Sequence, residues 1–153
     1  MDKNSQNIKN VQDELSDMEN RAKDTKAIMG TVGEMVLNKI SESFEEEEDP
    51  ITHKAWKKPK KLSSKYSSRS GDKRTLREEG DLFNSFSYKA SKNSVRVGTN
   101  LEYAAIHNFG KKDKMPQRRF MPFDESESEL KLEKELEDEI GEFILDSLLG
   151  ELG

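Results

Sequence analysis

The sequence predicts an α+β fold, in which a small antiparallel β-sheet is flanked by a long N-terminal helix and a C-terminal helix, with a long basic loop. Two stretches whose apolar residues recur three, four or seven positions apart predict the helices, at residues 7–44 and 124–149. Short alternating segments between them predict the sheet. The 153 residues suit one domain of ordinary size, so we expect a single domain over residues 1–153.

The composition predicts a small core and a need for partners. Charged residues make up 37% of the chain and hydrophobic residues only 31%, so part of the chain is expected to stay solvated. The net charge is −5, but residues 42–49 hold six acids, residues 53–77 hold ten basic residues and residues 124–142 hold ten acids. Such blocks can meet within one subunit or between subunits.

Several functional classes are excluded or disfavoured. The chain has no cysteine, which excludes disulfides and cysteine-ligated zinc and suits a cytoplasmic assembly environment. The N-terminus lacks an apolar signal core, so export by a cleaved signal is not expected. The apolar run at residues 143–145 is far shorter than the ~20 residues of a membrane helix.

Residues 7–44 are predicted to form one long helix that ends in an acidic run before Asp49 and Pro50. The apolar stripe is weak in the first half of this helix, which indicates that contact with a neighbouring element stabilises it. Gly30 and Gly33 weaken the prediction at its middle, because each costs about 1 kcal/mol relative to alanine in a helix.

Residues 45–77 are predicted to form an extended charged loop with Trp56 and Leu62 as its apolar anchors. Two interpretations of its basic part, residues 54–77, stay open. The lysines could bind a phosphate backbone while Trp56 and Tyr66 stack on bases, as in a nucleic-acid-binding module. The loop could instead order against an acidic partner, which we favour because the aromatic residues are few. The candidate partner-interface residues are Lys54, Trp56, Lys57, Lys58, Lys60, Lys61 and Lys65.

Residues 78–123 are predicted to form a β-hairpin, a short helix and an extended strap. Alternation from Leu82 to Ala90 and again at Val95 and Val97, around a Ser- and Asn-containing turn, predicts the hairpin. Residues 101–109 predict the short helix, which Gly110 ends. Two prolines in residues 115–123 predict an edge strand or a strapped loop. For the last helix, over 124–149, the predicted N-cap is Asp124 or Ser126.

No catalytic, metal or cofactor site is predicted. His107 could act as a general base with Tyr103 one helical turn before it, but no nucleophile or second base accompanies them. We favour a partly buried histidine that hydrogen-bonds and fixes the turn before Gly110. The acidic runs lack the spacing of a calcium loop, and the glycines fit no nucleotide-binding fingerprint. The chain is therefore expected not to be an enzyme.

An ordered series of motifs runs from Phe44 to the last helix. Phe44 is followed by Pro50, Trp56, Leu62-Ser63 and Lys65, and then by Leu76, Gly80-Asp-Leu-Phe-Asn-Ser85, Val95-Arg-Val-Gly-Thr99, Tyr103-Ala-Ala-Ile-His-Asn-Phe-Gly110 and Pro116-Gln-Arg-Arg-Phe120. The series resembles the phage virion morphogenesis family, also called the tail-completion protein family. This chain departs from the family pattern in having Ser63-Ser-Lys-Tyr-Ser-Ser in place of a threonine-rich stretch and Arg119 where proline is common.

The resemblance implies a non-enzymatic structural virion protein of a tailed phage or prophage, acting in tail completion and head–tail joining as a ring-forming subunit. It implies as partners other copies of the chain, in a ring of six, and neighbouring neck, connector or tail proteins. DNA would pass through the channel without sequence-specific binding, and no membrane is involved. The expected location is the neck or tail end of the virion, and the host cytoplasm during assembly. The residues that match the family motifs, with an expected structural role, are Gly80, Leu82, Ser85, Gly98, Tyr103, His107, Gly110, Pro116, Arg118 and Phe120.

Overall fold

The structure, a computed structural model, describes residues 2–59, 75–77, 80–126 and 128–150. Helices lie towards both ends of the chain and two antiparallel strand pairs lie between them, which confirms the predicted α+β class. In chain order the elements are α1 (Lys3–Lys23), α2 (Lys26–Glu46), β1 (Ser87–Ala90), β2 (Val95–Gly98), α3 (Ala104–Phe109), β3 (Phe123–Asp124), β4 (Lys131–Leu132) and α4 (Lys134–Leu149).

The predicted single helix over 7–44 is wrong, because the helix breaks at Asp24 and Thr25. Asp24 takes an extended conformation, and its carboxylate accepts a hydrogen bond from the Lys26 N–H at 3.0 Å. A local side-chain acceptor of this kind competes with helix continuation. Thr25 donates to the Lys92 carbonyl from both its N–H, at 2.9 Å, and its hydroxyl, at 2.7 Å. The break therefore attaches the start of α2 to the turn of the hairpin.

The core forms around α2, which packs against the β1–β2 hairpin and against α4. Its buried apolar positions follow the predicted stripe, at Val32, Val36, Ile40 and Phe44. Leu136 of α4 joins the same apolar cluster. The burial of one continuous stripe explains why α2 is stable although two glycines interrupt it.

Phe44 is the centre of an aromatic cluster. Its side chain is fully buried, and its ring centroid lies 5.4 Å from that of Trp56 and 5.3 Å from that of Phe120. Phe83 and Phe86 complete the cluster at 5.6 Å and 5.9 Å. Such tilted and edge-on pairs add to the stabilisation that burial alone provides. The cluster joins four separate parts of the sequence.

The hairpin confirms the predicted strand pairing but begins later than its alternation predicts. β1 and β2 pair antiparallel, from Ser87 opposite Gly98 to Ala90 opposite Val95. Before β1, residues Phe83–Ser85 form a 3₁₀ turn rather than the first part of the strand. The Ser85 hydroxyl stabilises that turn, since it lies 2.7 Å from the Leu82 carbonyl oxygen and 2.6 Å from the Thr99 hydroxyl.

Gly33 allows the hairpin to lie directly on α2. A Cβ at this position would lie 2.5 Å from Cγ of Tyr88, closer than real contacts allow. We expect Gly33→Ala to destabilise the protein by about 1–3 kcal/mol, because the Tyr88 ring would have to move. Gly141 in α4 has open space around it, so Gly141→Ala should stabilise by about 0.5–1 kcal/mol. Urea unfolding of both variants tests this, and equal shifts would contradict it.

The last helix begins at Lys134, not at residue 124 as predicted. Residues 123–124 and 131–132 pair as β3 and β4 instead. The N-cap is Glu133, whose carboxylate accepts hydrogen bonds from the N–H groups of Glu135 and Leu136 at 3.1 and 2.8 Å.

No helix in the described part of the chain is long and apolar enough to span a membrane.

Candidate partner-binding surface

The described part of the predicted basic loop is tied to the core. The Glu47 carbonyl accepts the Trp56 N–H at 2.7 Å, and the Asp49 N–H donates to the Lys54 carbonyl at 2.9 Å. The indole Nε1–H of Trp56 donates to the Arg119 carbonyl at 2.9 Å. Trp56 is only 4% exposed, so it anchors the loop in the core, as predicted, and is not the surface contact that was also predicted. Its face is not free to stack on a base.

The lysines of the candidate interface fall into three groups. Lys54 and Lys57 are exposed. Lys58 is exposed as well, but its ammonium lies 2.7 Å from the Glu47 carboxylate of the same chain. The remaining members lie outside the described residues, as do Leu62 and Tyr66: they are Lys60, Lys61 and Lys65.

Glu47 makes this loop sensitive to acid. Burial alone would raise the pKa of its carboxylate, but hydrogen bonds from Lys58 and from the Thr75 N–H outweigh burial and lower the pKa to about 2. Because the folded-state pKa lies below the ordinary value of 4.5, the contribution to stability is complete above that pH and is lost as the pH falls towards 2.

We therefore expect part of the acid destabilisation of this protein to depend on Glu47. At about 1.4 kcal/mol per pKa unit, the loss between about pH 5 and about pH 2 amounts to at most about 3 kcal/mol. Glu47→Gln should flatten this part of the stability profile, measured by urea unfolding at several pH values. The exposed neighbour Glu46 provides the control, since Glu46→Gln should leave the profile as it is. An unchanged profile for Glu47→Gln would contradict the assignment.

The predicted strap, residues 115–123, holds the loop and α3 together. The Arg118 N–H donates to the His107 carbonyl at 2.8 Å, and the Arg118 guanidinium donates to the Lys57 carbonyl at 2.8 Å. Phe120 is buried in the aromatic cluster, and Pro116 before it is half-buried. The segment therefore uses both its backbone and its buried side chains to join α3 and the basic loop to the core.

Arg119, which stands where the family commonly has proline, is a buried cation. Its guanidinium lies 3.1 Å from the Asp49 carboxylate and 3.0 Å from that of Glu125. Its side chain is only 9% exposed. Burial alone would lower its pKa, but the two carboxylates outweigh burial and raise it. Arg119 thus links the loop after α2 to the segment that begins at β3.

Asn108 is a buried position that sequence reasoning missed. Its side-chain oxygen accepts hydrogen bonds from the N–H groups of Phe120 and Met121, at 3.1 and 3.0 Å. The hydrogen bond to the Phe120 N–H is buried, and a buried donor without a partner is costly. The family motif around Tyr103 and Gly110 brackets Asn108, but an asparagine between a histidine and a phenylalanine gives no periodic signal.

The His107 side chain does not make the hydrogen bond that was predicted for it. Its Nδ1 is buried and has no hydrogen-bond partner, while its backbone carbonyl accepts from Arg118. Burial and the neighbouring Arg118 charge lower the pKa of His107. The Tyr103 ring lies edge-on at 6.1 Å between centroids. His107 thus contributes to packing, and the backbone, not the imidazole, attaches α3 to the strap.

The remaining motif residues lie at turns and in the core. Gly110 has φ +73°, and a Cβ there would lie 2.8 Å from the backbone nitrogen of Gln117, so glycine is required. Gly80 has φ +76° and lies before the 3₁₀ turn, whereas Gly98, at the end of β2, has open space around it. Leu82 is buried in the apolar cluster. Tyr103, just before α3, is largely exposed.

The exposed surface of the described residues carries apolar side chains. Among the described residues, no group of three His, Asp or Glu side chains is placed to hold a metal ion. α1 has no buried residue along its 21 positions. The exposed large apolar side chains of the described chain lie on or next to helices and after β3, at Ile8, Val11, Leu15, Tyr103, Ile106, Phe109, Leu130, Leu145 and Leu149. These exposed apolar side chains and the exposed lysines are the candidate partner-binding features.

Comparison with known proteins agrees with this organisation. The sequence profile of the phage virion morphogenesis family matches residues 6–148, nearly the whole chain. No curated protein and no solved structure shows significant similarity to the chain. The matched range includes all but the outer ends of α1 and α4, together with the hairpin, the strap and the aromatic cluster around Phe44. The chain therefore belongs to the phage virion morphogenesis family.

Proposed function

We propose that this chain is a ring-forming structural subunit at the neck or tail end of a tailed-phage virion, where it acts in tail completion and head–tail joining. Membership of a virion morphogenesis family supports a role in assembly rather than in catalysis. The observation that carries the ring proposal is α1, whose 21 residues include no buried one although its apolar residues form a stripe. Helices of this kind gain their stability from packing, so the stripe needs a neighbour.

The proposed ring contains six copies around a channel through which DNA passes without sequence-specific contacts. Neighbouring neck, connector or tail proteins would bind its two faces. The blocks of charge support contact between subunits. Exposed Lys54 and Lys57 can face the exposed acidic side of α4 on the next copy, around Glu135 and Glu139. Complementary charge of this kind sets the register of a contact more than it adds affinity.

Reversing the exposed lysines tests the charged contact. The double variant Lys54→Glu/Lys57→Glu should keep its circular dichroism spectrum and fail to form rings in electron micrographs. Lys58 is left intact, because reversing it would place a second acid beside Glu47. A double variant with the same charge change on the hairpin, Lys89→Glu/Arg96→Glu, is the control and should still assemble. Rings formed by the first variant as by the unmodified protein would refute the contact.

The competing nucleic-acid interpretation of residues 54–77 has lost one support, since Trp56 is buried. It predicts that the free protein binds DNA in a strongly salt-dependent manner. A gel shift at low salt that depends on Lys54 and Lys57 would favour it over the ring contact. We expect no such shift.

A further inference from the structure

We propose that the apolar stripe of α1 in one copy docks on the apolar patch at α3 of the next copy, so that the contact joins two different surfaces. This inference rests on the proposed ring and names its principal contact. The α1 stripe consists of Ile8, Val11 and Leu15, which are 55–60% exposed. The α3 patch consists of Tyr103, Ile106 and Phe109, which are 43–58% exposed.

Each surface presents its residues in a row. Positions 8, 11 and 15 are three and four residues apart, which places them on one side of α1. Positions 103, 106 and 109 are three residues apart. Tyr103 is the N-cap of the short helix α3, and Ile106 and Phe109 follow it on the same side of that helix. At about 1.5 Å per residue, the 21 residues of α1 extend about 30 Å, enough to reach across a neighbouring subunit.

The charges around the two surfaces are opposite. Helical spacing places Glu14 and Glu19 along the two edges of the α1 stripe, and Glu19 also pairs with Lys23 at 3.2 Å. The loop next to the α3 patch holds one exposed acid, Asp113, and three exposed lysines, Lys111, Lys112 and Lys114. Their loop is fixed by paired backbone hydrogen bonds between Lys111 and Met115, both 2.8 Å long. The lysines therefore form a fixed basic rim for an acid-edged helix.

The same charges disfavour the other apolar surfaces that the described residues offer. Pairing α1 with α1 of another copy would bring the acidic edges of both helices together. The exposed leucines of α4, Leu145 and Leu149, lie near Asp146 and Glu142, so docking there would also place acid against acid. Like charges placed side by side oppose a contact, and the α3 patch is the exposed apolar surface with a basic rim.

A contact between two different surfaces leads to a ring or a filament. Each copy has one α1 stripe and one α3 patch. Every copy can therefore bind one neighbour through its α1 stripe and a second neighbour through its α3 patch. Such head-to-tail contacts close into a ring when the rotation between copies is right. The loop–α4 charge contact, which also joins unlike surfaces, is compatible with the same arrangement.

Cysteine crosslinking tests the contact directly, because the chain has no cysteine of its own. Two single variants are made, Leu15→Cys and Phe109→Cys, and each is treated with a flexible bismaleimide. We expect neither variant to crosslink alone, a covalent dimer when the two are mixed, and a ladder of species up to the ring size for the double variant. Lys89→Cys, on the exposed side of β1, is the matched control and should not crosslink with either.

Three outcomes would overturn the proposal. A dimer from Leu15→Cys alone would show that α1 pairs with α1. Rings that form without any crosslink in the mixture would show that another surface covers α1, while the proposed function would stand. A protein that is monomeric at all concentrations would remove the ring and this contact together. As a second variant, Leu15→Glu should reduce assembly at least tenfold while its circular dichroism spectrum is retained.

Discussion

Replacing Phe44 with alanine is expected to lower the free energy of unfolding by about 3–5 kcal/mol, the largest loss for any single core position here. The Phe44 ring is fully buried and contacts the rings of Trp56, Phe83, Phe86 and Phe120. Its removal leaves a cavity where the parts of the fold meet. Domains of this size have about 5–15 kcal/mol of stability in total, so the variant should be largely unfolded or close to it.

Urea unfolding measures this loss, and two further variants define its cause. Phe44→Leu keeps much of the buried volume and should lose less stability than Phe44→Ala. Phe109→Ala removes the same side chain from an exposed position and should change the free energy by no more than about 0.5 kcal/mol at concentrations below assembly. Equal losses for Phe44→Ala and Phe109→Ala would contradict the central role of the aromatic cluster.

Replacing Arg119 with methionine should have the second-largest effect, a loss of about 2–4 kcal/mol, because it leaves two carboxylates facing each other without their shared cation. Arg119 lies 3.1 Å from Asp49 and 3.0 Å from Glu125. The expected loss is smaller than for a fully buried pair, because the Glu125 side chain is 31% exposed. Urea unfolding at neutral pH gives the value.

A second variant separates lost charge pairing from lost packing. Arg119→Lys keeps one positive charge beside the carboxylates of Asp49 and Glu125, so it should lose less stability at neutral pH than Arg119→Met. Equal losses for the two variants would show that packing of the guanidinium alone is responsible.

Periodicity predicted the parts of the fold that depend on one buried face. The stripe from Val32 to Phe44 became the core of α2, and the alternation at Tyr88 and Ala90 became β1. Periodicity did not locate the residues at which the helices begin and end. The stripe continues past Asp24, where a local carboxylate bond and the contact of Thr25 with Lys92 break the helix. The contact of Thr25 with Lys92 is tertiary, and no pattern within one segment contains it.

The site was less predictable than the fold, because its residues act through distant partners. The lysine-rich neighbourhood of Trp56 suggested a surface residue, yet Trp56 donates to the Arg119 carbonyl, 63 positions away. Asn108 and Arg119 each satisfy groups from other segments, and nothing beside them in the sequence indicates it. Gly33 was expected to weaken the helix. The structure shows that the Tyr88 ring lies so close to α2 that only a residue without a side chain fits at this position. The family was recognisable because the order of the motifs along the chain does not depend on such contacts.

The most direct test of a ring-forming subunit is the native mass of the purified chain, combined with electron microscopy of the same sample. We expect a closed ring of six copies that dissociates when Leu15 is replaced by glutamate. A species with the mass of a single chain at every concentration that can be measured, and no rings in the micrographs, would contradict it.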